Sequence, residues 1–483
     1  MSLKQKTVSG LTWNFGGNFI NQFVAFIFGI ILARLLTPRE YGLVGMISIF
    51  IALAEPFVNS GFSQALIRKK QCTRIDFSTV FYFNFFIGVI CYLILFFSAP
   101  YISSFFKEPQ LTLIARIVGL IIIINSTVII QNTILTINLN FKLLTKISLF
   151  SSFLSGLLGI VLAYKGYGVW SLVYRTLAQQ ILNSAMLWIN NRWNPGGLFS
   201  FRVLKELFGF SSKLLASAIL DKVYFNIYNL IIAKYFSAKE LGLYTRAKMF
   251  KDMGSDMITE IIAKVSFPVL AKCQDEPLRL KNNYKIFLKC TMFIVLPLMF
   301  GLSAVSESLI LALLGDKWKE AIIFLQLLAF VGIFYPMSRF SVNLMYVYGR
   351  SGLVLKLEIL VKALVVPAII IGVKFGIKYM IIAMIITSFI GFLFKAYYSG
   401  RLLNYTVWEQ IKDFKYGFFL AVCIGIVLFF IGKIGNLNPI VTLLIQIFTS
   451  VIIFIGLSEI LRISEYMFIK GIIFEKLNKG IKK

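Results

Sequence analysis

Charged and amide side chains recur at helical spacing inside otherwise apolar stretches, and their types suit ion and hydrogen-bond chemistry. Asn14, Asn18 and Asn21 stand at i, i+4 and i+7, with Gln22 beside them, on one face of a helix. Ser48, Glu55 and Asn59 share a second face, next to Pro56, which removes a backbone hydrogen bond and can kink the helix. Lys213, Ser217, Asp221, Tyr224 and Tyr228 form a third, with Lys222 adjacent. Lys248, Asp252, Asp256, Glu260 and Lys264 follow at successive four-residue steps. Arg339 and Asn343 come after Pro336, Lys356, Glu358 and Lys362 mark another stretch, and Arg116 and Arg175 are isolated cations. A charge in hydrocarbon costs at least ~2.5–3.5 kcal/mol on insertion scales, so such residues face a cavity or a partner.

Two tasks fit these groups. Arg339, Lys213, Arg116 and Arg175, with the amides of Asn14, Asn18, Asn21, Asn59 and Asn343, would attract and bind an anionic, phosphate-bearing substrate in a low-dielectric cleft. Glu55, Asp221 and Asp256 could bind and release an ion, either H⁺ or Na⁺. Structural alternatives stand beside these. Asn and Ser stripes serve equally as interhelical hydrogen bonds. Glu358 and Lys362, at i and i+4, can neutralise one another, and Arg246, Lys248 and Lys264 can snorkel to an interface. Glu55, Asp221 and Arg339 lie deep in their stretches with no opposite charge at i±4, which favours a cavity-facing role.

Several chemistries are excluded. Histidine is absent, which removes imidazole acid–base catalysis and most zinc sites. Cys72, Cys91, Cys273, Cys290 and Cys423 form no CxxC pair. Neither GxxxxGK[ST] nor HExxH occurs. The expectation is a protein that is no enzyme and holds no metal or cofactor, drawing on an ion gradient or a partner if its work is active.

The elements that would position these groups are membrane spans. The chain is 58% hydrophobic and 14% charged, about half the charge of a soluble domain. At roughly 20 apolar residues per helix plus a short loop, 483 residues make about fourteen spans. They fall near 10–34, 41–64, 77–100, 111–136, 144–164, 168–190, 207–235, 241–268, 285–305, 319–346, 353–374, 377–400, 414–432 and 439–460. The loops are short, leaving no room for a catalytic domain. Lys and Arg number 49 against 21 Asp and Glu. In a soluble chain that excess would suggest nucleic acid; here it reads as topology. With a cytoplasmic N-terminus, about 26 basic residues fall inside and about 11 outside, which puts both termini in the cytoplasm. The N-terminus shows no leader cleavage site. The tail, 463–483, reads as a basic amphipathic segment on the anionic inner leaflet.

Ile31–Leu43 has an echo at Ile231–Leu243. Identities fall at 31/231, 33/233, 40/240, 42/242 and 43/243, basic residues match at 34/234 and 39/239, and hydroxyls at 37/237. Each copy joins the first two helices of a six-helix block. An offset of six spans preserves orientation, so the repeat is parallel, about an axis normal to the membrane. The expected architecture is an all-α polytopic protein. Six-helix lobes at 1–200 and 201–404 are related by a parallel pseudo-twofold repeat, and two C-terminal helices occupy 405–462.

The stretches Ala33–Leu43, Asn59–Ile67, Gly166–Val173 and Phe208–Ser211 carry a resemblance. The chain resembles the bacterial polysaccharide exporters, Wzx-type flippases of the multidrug/oligosaccharidyl-lipid/polysaccharide (MOP) superfamily, in the colanic-acid-exporter-like branch. That resemblance implies alternating access through a central cavity, which the basic residues above would make cationic. It implies an undecaprenyl-diphosphate-linked oligosaccharide as cargo, the bacterial inner membrane as location, and membrane lipids, a polysaccharide polymerase and glycosyltransferases as partners. The competing readings are a multidrug antiporter or lipid II flippase of the same superfamily, and a membrane-embedded polymerase or glycosyltransferase.

Overall fold

Hydrophobic spans of this length in lipid must satisfy their backbone internally, and the chain does so entirely with helices among its described residues. The computed structural model describes residues 3–69, 71–191, 193–197, 199–434 and 437–471, without the side chains of 3–12, 14, 15, 18, 210 and 213. The expectations for Asn14, Asn18 and Lys213, and for tail residues 472–483, therefore lie outside the described residues.

The chain divides into two compact units, residues 1–242 and 243–483. The first holds α1 (Leu3–Leu35), α2 (Pro38–Asn59), α3 (Phe62–Arg68), α4 (Arg74–Phe106), α5 (Leu111–Val118), α6 (Leu120–Ile137), α7 (Phe141–Tyr164), α8 (Val169–Asn190) and α9 (Phe201–Tyr235). Helix α10 (Ala238–Gly254) runs from the first unit into the second. There follow α11 (Asp256–Lys272), α12 (Pro277–Ala304), α13 (Ser306–Leu313), α14 (Ala321–Val347), α15 (Ser351–Ala363), α16 (Val365–Phe375), α17 (Ile377–Leu403), α18 (Val407–Asp413), α19 (Lys415–Lys433) and α20 (Pro439–Ile460).

Ten helical stretches are long and apolar enough to cross a membrane, and Phe19–Leu35 adds a shorter one, among the described residues. Four of the expected spans are broken helices: 41–64 into α2 and α3, 111–136 into α5 and α6, 241–268 into α10 and α11, and 353–374 into α15 and α16. The α2–α3 break is a pair of left-handed residues, Ser60 at φ 48° and Gly61 at φ 72°. Gly61 also admits α9, since a Cβ there would lie 3.0 Å from the Ser211 carbonyl oxygen.

Burial is inverted relative to a soluble protein. On α4, Phe86, Ile94 and Phe97 are 62%, 62% and 68% exposed, a lipid-facing stripe, while Ser78, Thr79 and Asn84 of the same helix are fully buried. Small residues let helices close on one another. Gly88 of α4 meets Ser126 of α6, Gly156 of α7 meets Phe28 of α1, and Gly159 of α7 meets the Arg175 stem of α8. Helix α9 packs along α2 and α4 within the first unit. The segment leading into it is stitched to α4, with Gly196 N–H donating to Ser78 Oγ and Ser200 N–H to Thr79 Oγ1.

In the second unit α12 packs on α14 and α19, and α14 on α17. Tyr284, Ser341 and Ser399 form a hydroxyl chain through α12, α14 and α17. Below them Asp413 accepts from Tyr405 Oη at 2.7 Å and lies 3.8 and 3.6 Å from Lys285 and Lys289. Burial, then Asp413, pushes the Tyr405 phenol above its ordinary range. Lys289 also reaches the buried Glu465 at 3.3 Å, anchoring the helical start of the tail.

Candidate functional site

Each unit gathers its own polar groups. In the first, α2 and α9 bring Glu55 to Lys222 at 2.7 Å. One turn along, Asn59, Gln64, Ser217 and Asp221 line a cavity of about 240 Å³ with Pro56 and Gly61. Pro56 and the left-handed pair after Asn59 open the helix here, and Ser63 Oγ donates to Asn59 Oδ1 at 2.9 Å to hold the amide. Glu55 therefore finds a neutralising partner on another helix, which local spacing did not show. Asp221 and Asn59 do meet in one cavity.

A second cavity of the same unit, about 370 Å³, is lined by Asn21 of α1, Asn132 of α6, Thr145 and Ser148 of α7, and Asn183 of α8. Its lining carries no charge. Asn21 Oδ1 is buried there without a hydrogen-bond partner, an uncommon state for a polar atom in a packed interior. Thr145 Oγ1 donates to the Trp13 carbonyl, and Gly17 makes room for the Thr145 side chain. Lys142, in the first turn of α7 next to the cavity-lining Phe141, lies 5.4 Å from the Trp13 ring centroid.

Arg116 and Arg175 line neither cavity. The Arg116 guanidinium sits 4.4 Å over the Phe96 ring, and the Arg175 stem lies along Gly159.

In the second unit the four-residue ladder of α10 and α11 meets α14. Lys251 is buried and bridges Asp252 and Asp256, the latter at 3.0 Å. Lys248 lies 3.8 Å from Asp252. The helix breaks at Ser255, whose Oγ donates to the Gly332 carbonyl at 2.5 Å. Gly332 leaves the Lys251 stem its path, because a Cβ there would stand 3.1 Å from Lys251 Cδ. Farther along, Arg339 Nε lies 2.8 Å from Glu260 Oε1, its Nη2 donates to Oε2 at 3.2 Å, and Tyr335 Oη donates to Glu260 at 2.7 Å. Asn343 is buried one turn beyond Arg339. Lys248, Lys251 and Arg339 thus face Asp252, Asp256 and Glu260 in one chain of ion pairs. Glu358 pairs with Lys395 at 2.8 Å, a partner outside the i, i+4 pattern.

Tyr335, Lys251, Asn132 and Asn183 were not singled out beforehand. Lys251 is one position off the ladder, and the two asparagines are single amides in apolar helices. Among the described residues no group of three or more His, Cys, Asp or Glu could hold a metal.

Lipid-facing helices around uncharged and ion-paired polar interiors define a polytopic membrane protein. The fold is that of a solved lipid II flippase, MurJ, in an inward closed conformation: TM-score 0.72 at 18% identity, covering 92% of this chain and 98% of that one. The chain belongs to the polysaccharide biosynthesis protein family, which matches residues 31–323. It is 26% identical over 358 residues to the teichuronic acid biosynthesis protein TuaB of Bacillus subtilis, covering 73% of each chain. It is 24% identical over 376 residues to the lipopolysaccharide biosynthesis protein WzxC of Escherichia coli, covering 77% of this chain and 76% of that one.

Proposed function

We propose that the chain flips a polyprenyl-diphosphate-linked oligosaccharide from the cytoplasmic to the outer leaflet by alternating access, for surface polysaccharide assembly. The observation that carries this reading is the amide cavity of Asn21, Asn132 and Asn183. Amides and hydroxyls both donate and accept, as sugar hydroxyls require, and an uncharged cavity of this size admits a sugar ring without favouring an organic cation. Lys142 and Lys146, in the first two turns of α7 at the end that the charge bias assigns to the cytoplasm, suit the diphosphate. Family membership supports a glycan cargo.

The ion-paired network of Lys251, Asp252, Asp256, Glu260 and Arg339 supports ion coupling, because one proton or Na⁺ added to it changes which pairs hold. Glu55–Lys222 beside Asp221 is the corresponding device in the first unit. The fourteen-span count, the lobes at 1–200 and 201–404, cytoplasmic termini, and polymerase and glycosyltransferase partners belong to the same reading.

Deleting the gene from its host tests it. Surface glycan should be lost and lipid-linked precursor should accumulate, both reversed by the intact gene. Unchanged surface glycan, with loss of dye efflux, would replace the reading with drug export.

A further inference from the structure

A third cavity, about 570 Å³, belongs to neither constellation. It lies where the α1–α2, α4–α5 and α7–α8 turns of the first unit converge. Those turns are locked together. Glu40 closes a capping box on Thr37 at the start of α2, and the same carboxylate stands where Gly168 has no side chain, 2.5 Å from a would-be Cβ. Arg39 Nη2 bonds Glu108 Oε2 at 2.7 Å, tying α2 to the α4–α5 turn. Tyr167 sits between two left-handed glycines, Gly166 at φ 82° and Gly168 at φ 53°, with its N–H held by the Leu162 carbonyl at 3.1 Å. That turn presents Tyr167 half-exposed at the cavity, and Trp170 follows on the lining, its ring 5.9 Å from Tyr174.

The chemistry is selective. Arg39 is neutralised by Glu108 and Glu40 adds a negative charge, so the lining does not favour a phosphate. Gln110 and the spare N–H groups of Arg39 offer planar donors, and Gln110 and Glu40 offer acceptors. Tyrosine and tryptophan rings with polar edges suit the C–H face of a pyranose. A rigid rim spends little entropy on binding.

We propose that these turns form a saccharide subsite, with Tyr167 and Trp170 against the sugar ring and Arg39, Glu40 and Gln110 on its hydroxyls. In the orientation proposed above the turns face away from the cytoplasm, so the site holds the glycan as it emerges. This rests on the glycan-flippase reading.

The test uses the full chain in membranes of its own host. A photo-crosslinking benzoylphenylalanine replaces Leu113, on the cavity lining, or Phe97, on the lipid-facing stripe. Cells are labelled with tritiated sugar or with radioactive phosphate, and surface glycan is measured in parallel. Sugar label should attach at 113 and not at 97, and should fall about tenfold when Tyr167→Ala and Trp170→Ala are combined. Recovery with Tyr167→Phe and Trp170→Phe should separate ring stacking from misfolding. Glycan export intact with sugar label at 113 no higher than at 97, or phospholipid label alone at 113, overturns the subsite and leaves the flippase standing. Export that does not depend on the chain removes both.

Discussion

Gly42 and Gly242 occupy matching places in the two copies of the repeat, and each is packed against the other copy. A Cβ on Gly42 would overlap the Ala238 carbonyl oxygen, and one on Gly242 would overlap the Pro38 carbonyl oxygen. Positions 38 and 238 are themselves equivalent, so the contact is reciprocal, as a local twofold axis requires. Both copies begin their helix alike: Glu40 N–H donates to Thr37 Oγ1, and Glu240 N–H to Ser237 Oγ.

Because backbone stands on both sides, neither glycine can gain a side chain cheaply. Gly42→Ala and Gly242→Ala should each cost about 1–3 kcal/mol, with the double variant less than additive. Thermal unfolding in detergent measures this. Wild-type stability in either single variant would contradict the reciprocity.

Removing Arg339 takes from Glu260 its guanidinium partner and leaves the Tyr335 hydrogen bond. Arg339→Ala should lower flipping while membrane insertion persists, and should cost about 1–2 kcal/mol because the pair is only partly exposed. Combining it with Glu260→Gln should restore much of the stability and none of the transport. Wild-type flipping in Arg339→Ala would remove the pair from the mechanism.

Lys251 is the buried hub of its network. Lys251→Met takes the buried lysine from both Asp252 and Asp256 and should destabilise by about 3–5 kcal/mol. Asp256→Asn is milder and should uncouple transport from its ion gradient in proteoliposomes. Gradient dependence equal to wild type would take Asp256 out of coupling.

Asn21→Leu separates binding from folding. It deletes a buried acceptor that has no hydrogen-bond partner among the described residues, so stability should move by less than about 1 kcal/mol while glycan export falls. A fall in both, in proportion, would make Asn21 a packing residue.

Asp413→Ala should loosen the grip on Lys285, Lys289 and Tyr405, and lower the unfolding temperature without changing the rate of export per folded molecule.

The helices were legible because long apolar stretches in lipid have one solution, and the repeat was legible because its cap residues sit in register at 37, 40, 237 and 240. Breaks at Ser60 and Ser255 were hidden, since each falls inside an unbroken span. The ion pairs were hidden for another reason: Glu55 finds Lys222 167 residues away, and Arg339 finds Glu260 79 residues away, beyond any local pattern. Asn132 and Asn183 came to line one cavity only when four helices met around them.

Helix α9 covers α2 and holds its Glu55. A fragment ending at residue 200 would strip that cover and take Lys222 from Glu55, whereas one ending at 242 keeps both. Efforts to express the front half alone, or to split the chain for complementation, should cut after the second copy of the turn and not between the duplicated sequences.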